Sequence, residues 1–95
     1  MTALIDAEGV VTRWPRKSAE RQRVLDHLAA RFEAGRFYSE AEVNEILRRH
    51  HSFGDWALLR RELFEAGRLG RDARAGRYWL VVPLHPPGGG PQPAA

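Results

Sequence analysis

Residues 54–82 read GDWALLRRELFEAGRLGRDARAGRYWLVV, and this stretch decides the fold. Asp55 stands where a helix N-cap is expected, with a carboxylate to accept from the unpaired N–H groups of a first turn. Trp56, Leu59, Leu63 and Ala66 then recur at helical spacing and define one apolar face. Ala57, Arg61 and Glu65 fall roughly opposite, with Arg60 and Glu62 on the flanks. Gly67 supplies the stop. Arg68–Asp72 and Arg77–Val82 follow as two short strands around a turn at Ala73–Gly76. Alternation puts Tyr78, Leu80 and Val82 on one face and Trp79 and Val81 on the other. A helix running at once into a small basic hairpin predicts the second half of a winged helix-turn-helix, an architecture that sets a helix and a hairpin against nucleic acid.

Upstream, Ser39 and Glu42 have the spacing of a capping box, in which two free backbone donors are satisfied reciprocally. The helix they open is expected to reach about His50 and to bury Val43, Ile46 and Leu47. Its acids, Glu40, Glu42 and Glu45, precede its bases, Arg48 and Arg49, an order that complements the helix dipole. Phe37–Tyr38 reads as a brief extended link. Before it, Ser18 is the expected N-cap of a first helix running to about Ala34, with Val24, Leu25, Leu28, Ala29 and Phe32 inward and Gly35 as its stop. GVVTRW (residues 9–14) is β-prone and Pro15 ends it, which predicts a short edge strand. Residues 1–8 show no pattern and are expected to be poorly ordered, and the Pro/Gly-rich residues 83–95 are expected to be disordered. The prediction is therefore one α+β domain over residues 9–82, mainly α with a small β-hairpin, in the order β-α-α-α-β-β. The alternative is a three-helix bundle with a decorative hairpin.

A chain of 95 residues allows one modest core, and its composition of 43% hydrophobic and 28% charged residues is that of a globular domain. It has no cysteine, which excludes disulfides, thiolate zinc sites and thiol nucleophiles. It shows neither an apolar leader nor a membrane-length apolar run, so the expectation is a soluble, cytoplasmic protein without a membrane partner. Net charge is +3, and Lys17 is the one lysine beside 14 arginines. The charge is unevenly spread. Residues 13–31 carry six bases against Glu20 and Asp26, and residues 67–80 carry four against Asp72. Residues 32–66 carry seven acids against five bases, so a weakly acidic middle separates two basic ends.

Several of these stretches together resemble a small bacterial family, domain of unknown function 2087. They are Arg13–Trp14–Pro15–Arg16–Lys17, Phe37–Tyr38–Ser39–Glu40, Glu42–Val43–Asn44, Asp55, Leu59–Arg60–Arg61–Glu62–Leu63, residues 71–76 and Tyr78–Trp79. The resemblance spans about residues 10–80. It implies a compact helical domain with a closing hairpin, found alone or attached to helix-turn-helix transcription regulators, and it carries no assigned catalytic or ligand residues. Arg68 and Gly70 depart from it, at a strand start that is usually more apolar.

Three groups of cations are candidates for nucleic-acid contact. Arg60 and Arg61 on the third helix have the donors for guanine edges or phosphates. Against this, Arg60 could pack its stem on the core edge and Arg61 could pair with Glu65. Arg71, Arg74 and Arg77 on the hairpin fit phosphate contact from a protruding wing, or else form a solvated turn. Arg13, Arg16 and Lys17, with Arg21 and Arg23 beyond them, could clamp the backbone beside a duplex or simply face solvent. Trp14, interleaved among them, could stack on a base. His50–His51 lack the spacing of a metal-binding pair, so no metal is expected. No phosphate loop, nucleophile elbow or thiol is present, and no enzyme activity and no cofactor are expected. The expected function is an accessory transcription-regulator module that contacts double-stranded DNA. The alternative is a protein-interaction or homodimerisation module on the same fold. A third reading, a small-ligand sensor built from Trp14, Phe37, Tyr38, Tyr78 and Trp79, competes with the need for those rings in the core.

Overall fold

The computed structural model describes residues 3–81. Three helices, α1 (Ser18–Ala29), α2 (Glu40–Arg49) and α3 (Trp56–Glu65), pack with a three-stranded antiparallel sheet of β1 (Phe37–Ser39), β2 (Leu69–Asp72) and β3 (Arg77–Leu80). The strand order is β1-β3-β2. Among the described residues no helix is long and apolar enough to cross a membrane.

The observed order is α-β-α-α-β-β, which corrects the predicted β-α-α-α-β-β. Residues 9–14 do not join the sheet. Val11 makes isolated bridges to Ile5 and His51 instead, because Asp6 turns the chain back on itself. The Asp6 carboxylate accepts from the N–H groups of Glu8 and Val10, each at 2.9 Å. The presumed link at Phe37–Tyr38 is the strand that joins the sheet, in register Phe37↔Trp79, Tyr38↔Tyr78 and Ser39↔Arg77. Periodicity missed it because three residues hold too little alternation to register.

Helix α1 is shorter than its apolar pattern. It stops at Ala29, and the inward Phe32 is carried on the turn that follows, edge-on to Tyr38 at 5.1 Å. Ser18 is not its cap either. Lys17 holds that position, without a side-chain bond. The capping box at α2 is formed, with Ser39 N–H donating to Glu42 Oε1 at 2.8 Å and Glu42 N–H donating to Ser39 Oγ at 3.1 Å. Asp55 caps α3 by accepting from Leu58 N–H.

Between α2 and α3, the buried His51 joins three segments. Its Nδ1–H donates to the Leu47 carbonyl at 2.6 Å, and its Nε2 accepts the Asp55 N–H at 2.9 Å. These two bonds fix the neutral tautomer. The flanking backbone holds Val11 through Val11 N–H to His50 O at 2.8 Å and Ser52 N–H to Val11 O at 3.0 Å. Val11, Val24, Leu25, Leu28, Val43, Leu47, Leu59, Leu63 and Leu69 make the sealed centre of the core, with Tyr38 and Tyr78 closing its sheet side. Strand β3 ends at Leu80, short of the expected Val82; residues 82–95, with Val82 and the Pro/Gly-rich tail, lie outside the described residues.

Two outcomes follow. Ser39→Ala removes one half of the capping box and is expected to cost about 1 kcal/mol in urea unfolding. His50 is held below the ordinary histidine pKa by burial, with the charges of Arg31, His27 and Arg49 adding to the effect. The unfolded chain therefore takes up this proton more readily than the folded one. The stability contributed by the neutral ring is complete above about 6.5 and is lost as pH falls from there through the folded value. His50→Gln should flatten the fall of Tm between about pH 7 and 5, and an unchanged slope would refute the assignment.

Candidate nucleic-acid interface

The hairpin register decides which arginines meet. A turn over residues 73–76 pairs Asp72 with Arg77 and Arg71 with Tyr78. Arg71 thus shares the α3-facing side of the sheet with Tyr78, and Arg77 shares the opposite side with Trp79. On α3, Ala57, Arg61 and Phe64 recur at positions i, i+4 and i+7, on the side away from the core. Helix and sheet meet in an open concavity of about 330 Å³ lined by Ala57, Arg60, Arg61, Phe64, Arg71 and Tyr78. Three guanidinium groups stand in this lining and no carboxylate does.

Each cation is held differently. Arg60 Nη1 donates to Asn44 Oδ1 on α2, which ties it to the neighbouring helix rather than to a core edge. The Arg71 guanidinium lies 4.9 Å from the Phe64 ring centroid, a cation–π contact that covers this ring. Arg61 is exposed, and among the described residues it makes no ion pair; in particular it does not bridge Glu65. At the hairpin tip the Asp72 carboxylate accepts from the N–H groups of Arg74 and Ala75, so it serves the turn while the Arg74 side chain stays exposed. Arg77 stacks on Phe37 at 4.6 Å, on the outer face of the sheet. The Tyr78 hydroxyl donates to Glu40 Oε1 at 3.3 Å, which steadies the floor of the concavity against the start of α2.

The N-terminal cluster stands apart. Arg13, Arg16 and Lys17 are exposed on the lead-in to α1 and line neither this concavity nor the smaller one beside the hairpin tip. Trp14 is half-buried against the core beneath Arg21, whose guanidinium lies 5.2 Å from its ring, and Arg21 Nε donates to the Pro15 carbonyl at 2.7 Å. The structure therefore brings together Arg60, Arg61 and Arg71, sets Arg74 and Arg77 along the same hairpin, and does not join Arg13, Arg16 and Lys17 to them. Phe64 and Tyr78 complete the lining and were not among the residues expected to contact nucleic acid, Tyr78 having entered only in the small-ligand reading. Both were legible from the sequence, Phe64 from its seven-residue offset to Ala57 and Tyr78 from the turn length that pairs it with Arg71.

Arg68 has a structural duty that its charge alone did not suggest. Nε and Nη2 each lie 2.8 Å from Asp26 Oδ1, Nη2 donates to Gln22 Oε1 at 2.9 Å, and Nη1 reaches the Ala66 carbonyl at 3.2 Å. It latches the start of the hairpin to α1 across more than forty residues of sequence.

The comparisons with known proteins bear on this arrangement through one match. Residues 10–80 match the model of domain of unknown function 2087, described as an uncharacterized protein conserved in bacteria. The chain belongs to this family. Neither curated proteins nor solved structures give a match. The family match spans both basic ends, the concavity and the Arg68 latch, and it brings no assigned site residue with it.

Arg68→Ala should loosen the hairpin selectively. The expected cost is on the order of 1 kcal/mol, because the ion pair is partly exposed. Amide exchange should accelerate over Leu69–Asp72 and Arg77–Leu80 more than over α2. Uniform acceleration would show that the latch carries no local role.

Proposed function

We propose that the domain is a winged-helix-like accessory module of transcription regulation that docks on double-stranded DNA through phosphate contacts. The observation that carries this reading is the convergence of Arg60, Arg61 and Arg71 on one concavity whose lining holds no carboxylate. Phosphate oxygens favour such a cluster, because each guanidinium presents paired N–H donors to two oxygens at once. The element order supports it as well. Helices α2 and α3 joined by the turn at His51 have the form of a helix-turn-helix, β2 and β3 follow as the wing, and β1 closes the sheet beside β3. In this reading α3 lies along the duplex, Arg61 and Arg71 grip phosphates from its two sides, and Arg74 reaches a further phosphate from the wing tip.

Backbone gripping is favoured over base reading. The exposed surface of α3 offers Arg61 and Ala57 to a groove, while Arg60 is turned to Asn44 and Glu65 stands exposed one turn beyond Arg61. Such a surface discriminates little among sequences, which suits an accessory module whose site is chosen by an attached or associated regulator. A role of this kind belongs in the cytoplasm, where the chromosome of a bacterium is.

The test is fluorescence anisotropy with a duplex of mixed sequence over a range of salt. Three phosphate contacts give a slope of log affinity against log salt near −3, from about 0.9 per contact. Arg61→Ala and Arg71→Ala should each weaken binding and lower that slope by about one. Arg13→Ala should leave both nearly unchanged. Absence of binding at low salt, or equal losses in all three variants, would overturn the proposal.

A further inference from the structure

The sheet has a second chemically distinct face. On the side away from α3, Phe37 of β1 stands opposite Trp79 of β3, with the rings 6.0 Å apart and perpendicular. Trp79 can lie flat there because its neighbour on β2 is Gly70. A Cβ at that position would overlap the indole. Phe37 is 58% exposed, more than any other large hydrophobic residue of the described chain, and Val81, also exposed, follows just beyond Trp79. Burial does not account for this ring. Its contacts are with Trp79 and Arg77 on the sheet surface and not with the core.

The charge beside it indicates the class of partner. Arg77 lies on the same face with its guanidinium 4.6 Å from the Phe37 centroid. Its cross-strand partner on this face is Asp72, whose carboxylate accepts from the N–H groups of Arg74 and Ala75, and among the described residues the two form no ion pair. An exposed aromatic ring beside a guanidinium group that makes no ion pair is the pairing that unpaired nucleotides favour, since a base stacks on the ring while its phosphate meets the cation. A second copy of the chain fits less well. A stable dimer buries roughly 1,200 Å² or more, whereas one exposed ring supplies at most about 200 Å², here interrupted by a charge.

We infer that the outer face of the sheet is a binding site for single-stranded nucleic acid, with an unpaired base stacked on Phe37 against the edge of Trp79 and the adjoining phosphate held by Arg77. The site is separate from the duplex concavity, because Arg77 and Trp79 point to the opposite side of the sheet from Arg71 and Tyr78. A regulator module with this arrangement would engage duplex and locally opened strand at once.

The experiment uses the full chain and a labelled oligothymidylate of about ten nucleotides, a length within the usual range for small single-strand binders. Binding is followed by anisotropy, with sedimentation velocity on the same samples. Phe37→Ala should weaken binding about tenfold, as expected for one lost base stack, and Phe37→Tyr should restore it. Phe37→Leu, which keeps the apolar surface and loses the ring, should behave like Phe37→Ala. Affinity for the duplex should be unaffected by all three, while Arg61→Ala should affect the duplex alone. Gly70→Ala, which displaces the Trp79 ring, should weaken oligonucleotide binding with an unchanged far-ultraviolet spectrum. Failure of the oligonucleotide to bind, or full retention of binding by Phe37→Leu, would overturn the inference even if duplex binding held. A protein that sediments as a dimer and becomes monomeric with Phe37→Ala would assign the face to self-association instead.

Discussion

The neutral imidazole of His51 is the constraint around which the domain is arranged. One ring nitrogen holds the last carbonyl region of α2 and the other holds the N–H of the residue that caps α3, so a single buried side chain sets the angle between the two helices. The backbone on either side of it, at His50 and Ser52, binds the N-terminal segment through Val11. The relation of α3 to the sheet is set at its other end, where Gly67 N–H donates to the Phe64 carbonyl and Arg68 N–H to the Leu63 carbonyl. A buried polar ring in a small core is tolerated because both nitrogens are satisfied; leaving either unpaired would cost on the order of 1–3 kcal/mol. The adjacent pair His50–His51 is thus divided between a half-buried ring and a structural joint.

Much of this arrangement was legible before any coordinates. The capping box at Ser39–Glu42, the cap at Asp55, the stop at Gly67 and the hairpin turn at residues 73–76 are local features, and local chemistry places them. What escaped was non-local. Whether GVVTRW or Phe37–Tyr38 supplied the third strand depended on which one β3 could reach, and propensity favoured the wrong one. The end of α1 likewise coincides with tertiary contacts, Phe32 lying edge-on to Tyr38 and Glu33 N–H donating to the Tyr38 hydroxyl at 2.7 Å. The candidate site divided along the same line. Arg71 and Tyr78 follow from turn length, whereas the bond from Arg60 to Asn44 and the separation of Arg13, Arg16 and Lys17 needed the packed helices.

Arginine serves two purposes here, and the division bears on function. Arg21, Arg36, Arg48, Arg71 and Arg77 lie over Trp14, Tyr38, Trp56, Phe64 and Phe37, covering rings that range from the buried Tyr38 to the exposed Phe37. Among the described residues Arg48, Arg71 and Arg77 make no side-chain hydrogen bond or ion pair and keep their N–H edges available, since a ring contacts only the flat of the group, whereas Arg21 donates to the Pro15 carbonyl. Arg36 is further engaged by Glu33 and Glu42, and its proton is held more firmly as a result, chiefly through the bond to Glu33. A high arginine content is therefore a poor guide to where a polyanion would sit. The informative arginines are those whose edges face no acid.

The latch made by Arg68 has a consequence for how the hairpin meets anything that binds it. A two-stranded ribbon alone would sample many orientations, and a partner would have to freeze them. Here the ribbon is moored to a helix from the far end of the chain before encounter. Association then surrenders little conformational entropy, so even a few guanidinium contacts translate into usable affinity.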